Sequence, residues 1–232
     1  MDPESKEQEI IINTNRASIY SFLSGIYARE LTSEQISELR SRRGNLLPSL
    51  SLGSGDGEEA TQIMSGLDLI RKYFESVADG SENDVRLDLA EDYAGLFLGV
   101  RGKIPHPSES AYQGGRKIMA RPYRQVLKIY EDAGLSADKS FTEPEDHVAT
   151  ELSFMAFLAK KTSESIKNRD YDSARRLLGS QEVFLERHLT KWLPTMCNDV
   201  LEIGRTDFYK GVAKITMGFL GMDNSILKDL TR

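Results

Sequence analysis

The chain has 232 residues, 39% of them hydrophobic and 28% charged, with a net charge of −6. This is the balance of a globular protein long enough to bury a core without disulfide or metal staples. The acidity excludes a protein that grips a phosphate backbone, because the basic pairs Arg42–Arg43, Lys160–Lys161 and Arg175–Arg176 are scattered among acids. The lone Cys197 permits no internal disulfide, and no apolar run of about 18 residues exists to span a membrane. The acidic opening residues have no signal-peptide pattern, so the expected location is the cytoplasm, with no nucleic-acid partner and no membrane insertion.

The apolar spacing is helical throughout, with no alternating strand pattern. Ile19, Phe22, Leu23, Ile26 and Tyr27 define one face of a first helix, and Thr32 with Gln35 spells a capping box for a short second one. Residues 44–57, rich in Gly, Ser and Pro, read as a long loop. Ile63, Leu67, Ile70, Phe74 and Val77 form the cleanest amphipathic stripe. A helix over about 82–98 follows, carrying Val85, Leu89, Tyr93 and Leu96 with Phe97 beside them. Residues 99–115 make a second long loop, longer than a compact domain usually keeps without a purpose. Further helices are predicted over about 121–133, from Pro144 to about Asn168, over about 171–200 with a break or kink at Pro194, and over about 205–221. The expected architecture is an all-α, single-domain bundle of about seven to nine helices covering residues 1–232.

Catalytic signatures fail on inspection. Glu58 stands where a dinucleotide-binding glycine belongs, Ile104 follows Gly102–Lys103 where a phosphate loop needs Ser or Thr, and the three histidines are isolated. Glu143, His147 and Glu151 would share a helix face, but a diiron bundle needs two Glu-x-x-His motifs and the chain does not supply one around His147. Two segments remain. Around 141–147, Thr142 and Glu145 read as a capping box with Pro144 in the first turn, which leaves His147 unexplained. In the 104–112 stretch, Pro105 and Pro107 stiffen what is either a rigid connector or a preorganised rim. Phe184, Leu185, His188, Leu189, Trp192 and Met196 read as a core stripe, with His188 a satisfied interior histidine.

Three blocks then stand in order: Tyr93-x-x-Leu96-Phe97-x-Gly99 leading to Pro105-x-Pro107-x-Glu109-Ser110-x-Tyr112; Glu143-Pro144-x-Asp146-His147 followed by Glu151-Leu152-x-Phe154-Met155; and His188-Leu189-x-x-Trp192 with Phe208-Tyr209 downstream. With the opening Arg16-x-x-x-Tyr20-x-x-Leu23, this arrangement resembles the TorD/DmsD/NarJ-type redox-enzyme maturation chaperones over most of the chain. The resemblance implies a non-catalytic chaperone that binds the N-terminal twin-arginine leader of a molybdopterin oxidoreductase catalytic subunit and delays export until the cofactor is inserted. It implies no bound cofactor, any touch on molybdenum cofactor or GTP being transient, and either a monomer or a domain-swapped homodimer.

A leader offers two arginines and an apolar helix-forming stretch, so its receptor needs an apolar groove rimmed by carboxylates. Tyr93, Leu96, Phe97, Pro105, Pro107 and Tyr112 are the groove candidates. Asp146, Glu143 and Glu109 are the arginine acceptors, with Ser110, Pro144 and His147 completing the expected peptide-binding set. Two alternatives stay open: a nucleotide-binding or hydrolysing enzyme, and an assembly chaperone for a membrane-anchored reductase that is not exported.

Overall fold

The computed structural model describes residues 3–42, 57–99, 105–113, 121–132 and 144–232. Within them the protein is all-α: α1 (Pro3–Ala28), α2 (Ser33–Ser41), α3 (Glu58–Ser76), α4 (Glu82–Phe97), α5 (Glu109–Gln113), α6 (Arg121–Asp132), α7 (Val148–Lys167), α8 (Tyr171–Phe184), a π turn (Leu185–Leu189), α9 (Thr190–Ile203) and α10 (Asp207–Thr231). Extended pairing among these residues is limited to a single antiparallel bridge between Ser108 and His147. The described residues group into two compact units. The first comprises Met1–Ala28, His106–Leu193 and Asn224–Arg232; the second comprises Arg29–Pro105 and Pro194–Asp223.

In the first unit α1 lies along α7, and α8 follows α7 back. The α1 face is close to the one the spacing predicts: Ile19, Leu23, Ile26 and Tyr27 are buried, with Tyr20 replacing the half-buried Phe22. The helix extends N-terminally to Pro3, so Asn13 and Arg16 also lie inside, the Arg16 guanidinium donating to Asn13 Oδ1 at 2.7 Å. The expected break at Pro194 falls elsewhere. Pro194 lies within α9, and the register changes in the π turn just ahead of Thr190, whose carbonyl Pro194 cannot serve.

In the second unit, α2 opens with the predicted capping box, Thr32 Oγ1 accepting from the Gln35 N–H and Gln35 Oε1 from the Thr32 N–H. The inner face of α3 is rotated from the expected stripe. Ile63, Gly66, Ile70 and Tyr73 are buried, while Leu67, Phe74 and Val77 are only partly covered. The cause is α10. A Cβ on Gly66 would stand 2.5 Å from the Gly211 carbonyl, and one on Gly211 would stand 2.5 Å from the Gly66 carbonyl, so glycine alone allows this backbone approach. α4 ends as predicted, with Gly99 at φ 78° taking the left-handed conformation that stops a helix. Its buried Asp92 accepts from the Arg205 N–H, the Thr206 N–H and the Thr206 hydroxyl, tying α4 to the start of α10.

Candidate functional site

The expected start of the seventh helix near Pro144 is replaced by a later one, and that shift builds the site. α7 begins at Val148, and its N-cap is His147, whose Nδ1 accepts the Ala149 N–H at 3.1 Å. The residues ahead of it spend their backbone groups on another segment. The Glu109 N–H donates to the Asp146 carbonyl at 3.0 Å, the Val148 N–H to the Pro107 carbonyl at 2.8 Å, and the Ser110 N–H to Asp146 Oδ2 at 2.9 Å. The Asp146 carbonyl and the Val148 N–H, spent laterally in this way, are unavailable to an earlier helix start. Thr142 and Glu143 lie outside the described residues.

The second long loop is therefore ordered over 105–113, and it contains the short helix α5. Five residues are too few to hold a helix without help, and side chains supply it. Glu109 reaches His188 in the π turn, Nδ1 lying 2.9 and 3.2 Å from its two carboxylate oxygens, and Gln113 Nε2 donates to Glu109 Oε1 at 2.7 Å. His188 is thus the satisfied interior histidine the stripe suggests, and its ring stacks on Phe184 with centroids 4.9 Å apart. Tyr112 packs on Trp192 at 5.6 Å, and Trp192 Nε1 donates to Glu151 Oε2 at 3.0 Å.

The result is an acidic interior. Glu109, Asp146 and Glu151 are essentially inaccessible, as are Ser108, Ser110 and His147. Burial first, and then the negative field of Glu109, pushes the Glu151 carboxyl well above its usual range. Burial likewise raises the Tyr130 hydroxyl, with Glu151, Asp146 and Glu109 adding to the effect. Burial, helped by His106, pulls His147 down to about 4, so the ring is neutral and its Nδ1 free to accept at neutral pH. Several buried polar atoms here receive no hydrogen bond: His106 Nδ1, Ser108 Oγ, Ser110 Oγ, Asp146 Oδ1 and Glu151 Oε1. Among the described residues no group of three His, Cys, Asp or Glu side chains could hold a metal ion.

The first unit thus brings Pro107, Glu109, Ser110, Tyr112, Pro144, Asp146 and His147 to one junction. Tyr93, Leu96, Phe97 and Pro105 belong to the second unit. There Tyr93 and Phe97 pack with Tyr209, ring centroids 5.1 to 6.2 Å apart, and all three α4 residues are at most 6% exposed. As placed, these side chains are buried within the second unit. The pairing of Glu109 with His188 and of Glu151 with Trp192 is not visible in the sequence. Its one trace is that all four residues fall inside the quoted blocks.

The geometry has the form of a pinned segment over buried carboxylates. The family model described as nitrate reductase delta subunit matches residues 59–198, more than half the chain. The chain belongs to this family. Relatives along nearly the whole length carry the name chaperone protein TorD. The protein from Vibrio cholerae serotype O1 is 26% identical over 221 residues, covering 95% of each chain. That from Photobacterium profundum is 26% identical over 230 residues, covering 95% of this chain and 98% of its own. That from Vibrio atlanticus is 27% identical over 221 residues, covering 93% and 95%. The delta subunit family match spans α3 to most of α9 and so includes the whole junction; the expected TorD/NarJ kinship is met. No described helix is long and apolar enough to cross a membrane.

Proposed function

We propose that this chain is a cytoplasmic chaperone that binds the N-terminal, twin-arginine type leader of a molybdopterin oxidoreductase catalytic subunit. In this reading it assists cofactor insertion and assembly and holds back export until both are complete. The observation that carries the reading is Asp146. One carboxylate oxygen is fixed by the Ser110 N–H, while Oδ1 is buried and receives no hydrogen bond. Leaving such an acceptor unsatisfied costs about 1–3 kcal/mol, and a guanidinium supplies planar paired donors that suit a carboxylate. Pro107, Tyr112 and Pro144 are the apolar residues of the junction assigned to the rest of the leader, and Glu109 is the further carboxyl assigned to its arginines. Tyr93, Leu96, Phe97 and Pro105 contribute by ordering the second unit.

Titration calorimetry with a synthetic twin-arginine leader tests this. Binding should weaken by about a hundredfold when both arginines become glutamine, by analogy with loss of charge-assisted bonds worth about 1.5–3 kcal/mol. Asp146→Asn should weaken it comparably while far-UV circular dichroism and melting stay close to wild type. Equal loss of melting temperature and binding would reduce the junction to a helix start, and no binding to leaders from several reductases would end the proposal. The family description, nitrate reductase delta subunit, favours a second class of client, the leader-like N-terminus of a membrane-anchored reductase that is not exported. Tight binding indifferent to the arginines would select it.

A further inference from the structure

We propose that the Pro107–Gln113 segment is a proton-linked strap, docked on α7 and the π turn while the Glu151 carboxyl holds a proton and lifted when it is ionised. This goes beyond leader binding and stands or falls independently of it. The docked strap forces two carboxyl side chains, 1% and 0% exposed, into one interior. Hydrogen bonds account for three of their four oxygens. Glu109 Oε1 and Oε2 face His188 and Gln113, Glu151 Oε2 accepts from Trp192, and Glu151 Oε1 receives no donor. A proton on Oε1 turns that uncompensated oxygen into a donor and removes one of two adjacent buried charges.

Several titratable or charged groups stand near the pair. From the elements packed around the pair come Asp146 and Glu145 ahead of α7, Tyr130 of α6, the uncharged Trp192 of α9, and His188 of the π turn, which is bonded to Glu109 itself. α1 brings Arg16, bonded to Asn13. Glu151 titrates above the ordinary carboxylate range, so its protonated form is favoured in the docked state. Docking is therefore fully supported at low pH and is lost as pH rises through the raised value. Among the described residues the strap is held by the backbone bonds from Glu109, Ser110 and Val148, the Ser108–His147 bridge, the Glu109–His188 bond and Tyr112 against Trp192.

Trp192 is the sole tryptophan, and it touches both halves of the device, Glu151 through its N–H and Tyr112 of the strap through its ring. Its emission reads the docked state directly. On raising the pH from about 5 to about 9, which brackets documented buried carboxyls, the emission of the full chain should shift to the red without loss of helical circular dichroism. In parallel, hydrogen-exchange protection of the Glu109, Ser110 and Val148 amides should fall by about tenfold beyond the intrinsic pH effect, while amides in the middle of α7 keep theirs. Glu151→Gln, which keeps an acceptor for Trp192, should hold the docked emission across the range. Flat emission and flat protection in the wild type would overturn the proposal, and the exchange measurement decides it even where the variant fails to fold. A transition with an unchanged midpoint in Glu151→Gln, or one coincident with loss of helix, would also overturn it.

Discussion

His188 shows how a residue can be read correctly for its place and still be undervalued. Its position in a stripe of Phe184, Leu189 and Trp192 marks it as interior, but the partner that makes burial tolerable, Glu109, lies 79 positions away. The two members of this pair are not equivalent. Removing Glu109 leaves His188 Nδ1 unpaired but also relieves Glu151 of a neighbouring carboxyl. Removing His188 leaves both carboxyls facing each other and deletes a ring stacked on Phe184. Breaking a buried pair commonly costs about 3–5 kcal/mol. His188→Ala should therefore cost about 3 kcal/mol or more in urea denaturation, and Glu109→Ala about 1–2 kcal/mol, the lone-orphan range. The reverse order would show that Glu109 and Glu151 do not repel.

At the scale of elements, backbone approach decides what composition leaves open. A Cβ added at Gly66 or Gly211 would stand 2.5 Å from the other's carbonyl oxygen and 2.7 Å from an Ile215 or Ile70 side-chain atom, so α3 and α10 meet where neither has a Cβ. Gly66→Ala has no flexible neighbour to displace and should lower stability by about 2–3 kcal/mol, the upper part of the overpacking range. Gly179, inside α8, would place a Cβ with nothing within 4 Å. Gly179→Ala should raise stability by about 0.5–1 kcal/mol through helix propensity alone. Thermal melts of the two variants, moving in opposite directions, would separate close packing from propensity. Equal shifts would remove the close-approach argument.

The whole molecule should have a stability dome with two identifiable limbs. His147, held down to about 4 in the folded state, binds its proton more readily when unfolded. Stability from this group is complete above its ordinary value near 6.5 and declines as pH falls toward about 4, by of order 3 kcal/mol. Glu151 acts on the other side, because its raised carboxyl supports the fold at low pH and withdraws that support as pH rises. His147→Asn keeps a side-chain cap and should flatten the acid limb only, while Glu151→Gln should flatten the alkaline limb only, both read from urea midpoints across pH. An acid limb unchanged in His147→Asn would show that this histidine does not remain neutral inside.

Local signals in the chain determine the helical class and most helix positions, because an apolar period of 3.6 and a side-chain cap such as Thr32 with Gln35 are set within one or two turns. The same holds for Gly99, which stops α4 by its own conformational freedom. The blocks around 105–112 and 144–147 could likewise be located by their residues. Tertiary structure alone decided what those residues do. The start of α7 moved to Val148 because its would-be first turn is bonded to Pro107, Glu109 and Ser110, and the stripe of α3 turned toward Gly66 because α10 presses there. Tyr93, Leu96 and Phe97 went to an aromatic interior, and Asp92 became a buried acceptor for the start of α10. In each case the deciding partner is distant in sequence. Hydrogen bonding and burial act through space, and a one-dimensional period carries no record of which distant segment will complete them.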